Sequence, residues 1–166
     1  MTDDIHVRIG TPEDLPGCME MFLQANLENG IDKLSQEKLL SIVWPSLHQD
    51  AGVVGIVGPV GEKPEGVVLL RIESLWYSDA PVIAEKLVFV HPDYRSARGG
   101  RARKLCEFSK KVSDELGMPL IIGIVSNDRT KGKVRMYERL LGPAAGAYFL
   151  YNGKTGLVQE AHTKDS

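Results

Sequence analysis

Apolar and polar residues alternate from Ile5 to Ile9, the period-two pattern of a half-buried strand. Thr11-Pro12-Glu13-Asp14 then carries helix-start chemistry: a threonine N-cap, proline at the first position and acids in the first turn. Leu15, Cys18, Met19, Phe22 and Leu23 form the predicted inward stripe of this helix, and Glu28-Asn29-Gly30 ends it. Ser35 opens a second helix with Leu39, Ile42, Val43 and Leu47 inward, and Pro45 is expected to kink or split it. Val53–Val57 and Gly66–Trp76 read as strands joined by the turn-rich PVGEKPEG. Val82–Val90 is a further strand, stopped by His91-Pro92. The spacing predicts a third helix over Gly99–Leu116, with Ala102, Leu105, Cys106, Val112 and Leu116 on one face and Gly117 at its C-terminus. Leu120–Val125 reads as a buried, central strand, and Asp128–Leu141 as a fourth helix that Gly132 weakens. Ala147–Tyr151 and Gly156–Gln159 read as closing strands around Asn152-Gly153.

The predicted order is β-α-α-β-β-β-α-β-α-β-β, an α/β (α+β) chain whose mixed central sheet carries helices on both faces. At 166 residues it fits one domain, expected over 1–160, with a polar tail at 161–166. Composition is that of an ordinary globular protein, and a net charge of −2 gives no whole-molecule reason to expect nucleic acid. The acidic N-terminus lacks a signal-peptide plan, and no apolar run is long enough for a membrane helix, so a cytoplasmic location with no membrane partner is expected. Cys18 and Cys106 read as buried thiols on helix faces. The four histidines show no metal spacing, so no metal is expected.

Val88–Leu105 (VFVHPDYRSARGGRARKL) carries the chemistry: a strand ends, a turn with two adjacent glycines follows, and a helix begins at once. The first turn of a helix offers unpaired N–H groups and partial positive charge, and Gly99 and Gly100 allow a pyrophosphate to approach that backbone. Seven basic residues lie between Arg95 and Lys111 against one acid, Glu107. A solvated helix face accounts for Lys110 and Lys111 but poorly for the paired glycines. The sequence lacks the GK[ST] of a P-loop and the GxGxxG of a Rossmann turn.

The stretch V-x-P-x-Y-R-x-x-x-x-G-x-A-x-x-L resembles motif A of the GNAT (Gcn5-related N-acetyltransferase) superfamily, and the order of predicted elements matches across nearly the whole chain. The resemblance implies acetyl-CoA as co-substrate. Val88 and Val90 would pair with its pantetheine arm, while Arg95 and the backbone of Arg98, Gly99, Gly100 and Arg101 would cradle its pyrophosphate. Arg98 stands where the first motif glycine is usual. Either Gly99 takes up the turn by a one-residue shift or the cradle is distorted, and the Arg98 side chain offers a phosphate ligand of its own.

Acyl transfer to an amine needs a neutral amine and a proton for the departing thiolate. Resemblance to the family's Asn…Tyr-Glu pattern marks Tyr137 as the acid and Asn127 as a cofactor contact, at a spacing about one helical turn longer than usual. Glu85 is the first choice of general base and Glu73 the second. The loop from Glu28 to Lys33 is expected to border the acceptor, and Trp76, Tyr77, Tyr148 and Tyr151 are candidates to line its pocket. The expected activity is direct acetyl transfer to the amine of a small molecule or peptide. The alternative is an acyl-CoA-binding sensor or interaction module without turnover. By the family's habit a homodimer through the closing strands is also expected.

Overall fold

Among the described residues five strands pair in the order of the chain, the first four antiparallel and the fifth parallel to the fourth, so the fifth lies at an edge and not at the centre of the sheet. The computed structural model describes residues 5–95, 100–124 and 130–157. Among them run β1 (Arg8–Ile9), a 3-10 turn (Pro12–Asp14), α1 (Leu15–Asn29), α2 (Gln36–Leu47), β2 (Gly52–Val57), β3 (Gly66–Ser74) and β4 (Pro81–Val90). A second 3-10 turn (Pro92–Tyr94), α3 (Arg101–Leu116), β5 (Leu120–Ile122) and α4 (Thr130–Leu141) follow. No helix among the described residues is long and apolar enough to cross a membrane.

Strand alternation divides the core. Val54, Ile56, Val67, Leu69 and Phe89 meet Cys18, Met21, Phe22, Val43 and Leu47 of α1 and α2 on one face. Val57, Val68, Leu70 and Ile83 meet Leu105 of α3 on the other, with Phe108 and Val112 packed against them. Gly55 makes room for α3, because a Cβ there would sit 2.8 Å from two ring atoms of Phe108. The helices therefore lie on both faces, as expected. Both cysteines are buried and unpaired, as the reading of them as core thiols requires.

Several expected elements differ in extent. β1 shrinks to two residues because only Arg8 and Ile9 find partners, on Ile56 and Gly55, while Ile5 and Val7 pack toward α3. In α1, Met21 takes the core position and Leu23 is exposed. In α3, Leu116 is likewise exposed, and Ser109 fills the buried face by bonding back to the Leu105 carbonyl. α2 runs unbroken through Pro45, which sits in the last turn, where a lost N–H costs one bond at most. β3 stops at Ser74, and Trp76 stands out in solvent.

The closing strand over Ala147–Tyr151 does not form. Its alternation is strand-like, but Tyr148, Phe149 and Tyr151 are 80%, 95% and 88% exposed, with no sheet face to bury them. Further along, the Gly156 N–H donates to the Gly30 carbonyl at 2.9 Å, just past the end of α1. Gly156 and Leu157 form no strand either, and the rest of the second closing strand lies outside the described residues.

Candidate active site

β4 and β5 pair only from Ile83 to Glu85. Beyond that point no described strand flanks β4 on the β5 side, so its last residues border an opening. Peptide groups alternate along a strand, and the His91 N–H donates to the Glu65 carbonyl beside β3. By that alternation the N–H and C=O groups of Val88 and Val90 face away from β3, into the opening. A bulge helps to aim this edge: Glu85 opposes Leu70 and Leu87 opposes Leu69, leaving Lys86 as the extra residue.

The α3 N-terminus stands at the end of this edge. Gly100 is its N-cap and adopts φ +67°, a left-handed conformation that side-chain-bearing residues rarely take. Among the described residues no side chain caps the helix, whose first N–H groups have no acceptor within the helix itself. The Arg101 side chain is turned away from that end: it pairs with Glu65 at 2.7 Å and lies over the Tyr94 ring. Arg101 therefore offers its backbone N–H rather than its charge. Arg98, Gly99 and Asn127 lie outside the described residues.

Two clefts meet at β4. One, of about 320 Å³, is lined by Glu85 to Val88, by Asn26 and Asn29 to Asp32 at the end of α1, and by Gly123, Lys133 and Tyr137. The other, of about 130 Å³, runs along Val88, Phe89 and Val90 toward Arg95 and Ala102 in the first turn of α3. They share Asn29, Val88, Lys133 and Tyr137, so one continuous passage leads from the α1 end to the α3 N-terminus.

Glu85 and Tyr137 meet where the clefts join. The Tyr137 hydroxyl lies beside the Glu85 carboxyl. Glu85 Oε2 is buried with no hydrogen-bond partner among the described residues. Burial pushes the Glu85 carboxyl up to about 7, against the opposing influence of Tyr137 and the Lys133 charge. Burial and then the Glu85 charge push the Tyr137 phenol well above its usual range, so it keeps its proton. A carboxyl poised near neutrality beside a protonated phenol is an acid–base pair.

The arrangement of splayed strand, glycine-capped helix and mixed sheet can be compared with solved structures. The acetyltransferase AAC(6')-Iy in complex with a bisubstrate analogue is similar at TM-score 0.66 and 18% identity, covering 90% of this chain and 98% of that one. An acetyltransferase of Trypanosoma brucei is similar at TM-score 0.62 and 21% identity, over 90% and 99% of the two chains. The ribosomal-protein-alanine N-acetyltransferase of Brucella melitensis biovar Abortus 2308 follows at TM-score 0.60 and 14% identity, over 89% and 96%. The chain has the GNAT fold. No protein-family model and no curated protein matches the sequence.

Within this GNAT fold, Glu85, Val88, Val90 and Tyr137 come together around one passage, and Gly100 begins the α3 turn whose Ala102 lines it. Glu73 does not join them: it is half-exposed on β3 and pairs with Lys86 at 2.7 Å. The Glu28–Lys33 loop does border the larger cleft, through Asn29, Gly30, Ile31 and Asp32. Trp76, Tyr77, Tyr148 and Tyr151 do not line it and are exposed. Arg95 is engaged with Glu28 and the Val90 carbonyl. Sequence reasoning missed Lys133 as a lining residue. Lys133 stands one helical turn before Tyr137, and that i, i+4 spacing is the signal that could have found it.

Proposed function

We propose that the protein is an acetyl-CoA-dependent N-acetyltransferase acting by direct transfer, with Glu85 as base and Tyr137 as acid. The observation that carries this reading is the placing of Glu85 beside Tyr137 at the junction of the two clefts. Outward peptide groups of β4 and the open, glycine-capped end of α3 suit a pantetheine arm and a pyrophosphate. Bound acetyl-CoA would supply a thioester carbonyl for attack and a thiolate to leave.

Glu85 Oε2 takes the proton of the attacking amine as the C–N bond forms. Tyr137 gives its hydroxyl proton to the departing sulfur as the C–S bond breaks, and the neighbouring Glu85 returns a proton to the phenolate. The pair ends as it began. The Glu85 charge holds the Tyr137 phenol high, so its neutralisation by the amine proton makes Tyr137 a better acid when the thiolate departs.

The acceptor is the amine of a small molecule or peptide. A cleft of about 320 Å³, at the small end for ligand pockets, favours an amine presented on a narrow chain or terminus. AAC(6')-Iy bound to a CoA-containing bisubstrate analogue offers a parallel for that layout.

Calorimetric titration with acetyl-CoA, joined to an amine screen with Tyr137→Phe, tests the reading. The expected result is binding by both proteins with kcat reduced about 100-fold or more in the variant. Binding without turnover of any amine would favour a sensor, and no binding at millimolar acetyl-CoA would remove the reading.

A further inference from the structure

Arg95 occupies the first position of the basic turn, where its charge would be expected to meet a phosphate. Its contacts say otherwise. Both terminal nitrogens donate to the Glu28 carboxylate, at 2.8 and 2.6 Å. Nε donates to the Val90 carbonyl at 2.8 Å. The guanidinium lies over the Phe89 ring, 4.9 Å from its centroid. Side-chain exposure is 20% for Arg95 and 25% for Glu28, so the pair is shielded on most sides. Bidentate pairing with a carboxylate is the strongest arrangement a guanidinium makes in proteins, and it leaves little donor capacity for another anion.

The position of these contacts gives them a function. Val90 is the last residue of β4, and its carbonyl faces the side where a pantetheine arm would pair. Glu28 is in the last turn of α1, one residue before Asn29, which lines both clefts. We infer that Arg95 and Glu28 form a clasp that fastens the end of α1 to the cofactor strand, setting the width of the passage and leaving Val88 and the Val90 N–H as the open strand groups. Arg95 is then a positioning residue and not a phosphate ligand. This inference rests on the acyl-CoA reading given above.

The two roles predict opposite signs for one substitution. Glu28→Gln weakens the grip on Arg95. A phosphate-binding Arg95 would be released by it and acetyl-CoA would bind more tightly; a clasp would loosen and acetyl-CoA would bind more weakly.

The experiment is calorimetric titration of the full chain and of Glu28→Gln and Arg95→Met with acetyl-CoA and with S-acetylpantetheine, which has the arm but no pyrophosphate. The clasp predicts roughly tenfold weaker binding of both compounds in both variants. It also predicts a raised KM for acetyl-CoA with kcat at saturation held within about threefold, a split that a general loss of fold would not give. Tighter acetyl-CoA binding by Glu28→Gln would overturn the inference while leaving the acyl-CoA reading intact. So would an Arg95→Met defect confined to acetyl-CoA. Wild-type protein that binds neither compound would overturn both. Glu28→Gln is isosteric at a partly exposed site, so it keeps the test decisive should Arg95→Met fold poorly, or should the fragment bind too weakly to measure.

Discussion

At the scale of single residues the Glu85–Tyr137 pair makes the sharpest prediction. Burial raises the Glu85 carboxyl and the Tyr137 hydroxyl opposes it, so the wild-type acidic limb of kcat/KM is expected near pH 7. Tyr137→Phe removes that hydroxyl, and the limb should move upward as well as kcat falling. A pH–rate profile checks it: an unmoved limb would mean that the two side chains do not act as a unit. The two thiols provide a contrasting case. Burial pushes Cys18 up to about 12 and Cys106 up to about 11, the latter helped by the Glu85 charge. Both stay neutral and enclosed, so labelling by iodoacetamide should proceed only at the rate of unfolding. Rapid labelling of either thiol in the folded protein would contradict their placement.

At the scale of elements, the N-terminus of α3 is the part most open to test. Gly100 sits at φ +67°, and a Cβ built on it would have only Ile5 Cδ1 nearby, at 3.9 Å. Gly100→Ala therefore carries the cost of a left-handed residue, about 1–2 kcal/mol, but meets no clash. Gly100→Trp carries the same strain and projects a ring over the open N–H groups. Acetyl-CoA affinity is expected to survive the first substitution within a few-fold and to vanish in the second, with both proteins folded by circular dichroism. Equal loss in both would point to the backbone conformation, not the space, as the determinant.

The start of α3 was legible from its residues because a strand end, a glycine and a helix start are local signals. The helices were legible for the same reason, with Ser35 acting as the N-cap of α2 and Gly117 taking φ +65° at the end of α3. What escaped was set by distant partners. The alternation of Ala147–Tyr151 states that a strand is possible, but nothing local says whether an edge will receive it. Likewise nothing near Arg95 announces Glu28, 67 residues earlier in the chain. The Glu85–Tyr137 pair is an intermediate case: each residue was a candidate by its own context, and only the fold brings the two together.

At the scale of the whole molecule, two buried carboxyls pull stability in opposite directions with pH. Burial alone would raise Asp14, but its bonds from Arg8, at 2.8 Å each, and from the Thr11 and Gly61 N–H groups more than offset that and hold it well below the usual carboxylate range. A depressed acid contributes stability that is complete above its unfolded value of 3.8 and is lost as pH falls below it. Glu85 has the opposite sign. Its folded value of about 7 lies above the unfolded 4.5, so the native state holds that proton more tightly. Its contribution is complete below 4.5, is lost as pH rises toward 7, and changes little beyond. Denaturant unfolding across this range should therefore show stability highest between roughly pH 4 and 5, declining on both sides. Each flank has its own variant. Glu85→Gln should flatten the alkaline flank, gaining about 1–3 kcal/mol over wild type at pH ~8 and little at pH ~4.5. Asp14→Asn should flatten the acid flank at a cost of about 3 kcal/mol near neutrality, because Arg8 loses its charged partner. A wild-type profile that rises steadily from pH ~5 to ~8 would show that Glu85 is ionised in the folded protein at little cost, and with that its role as a base poised near neutrality would be lost.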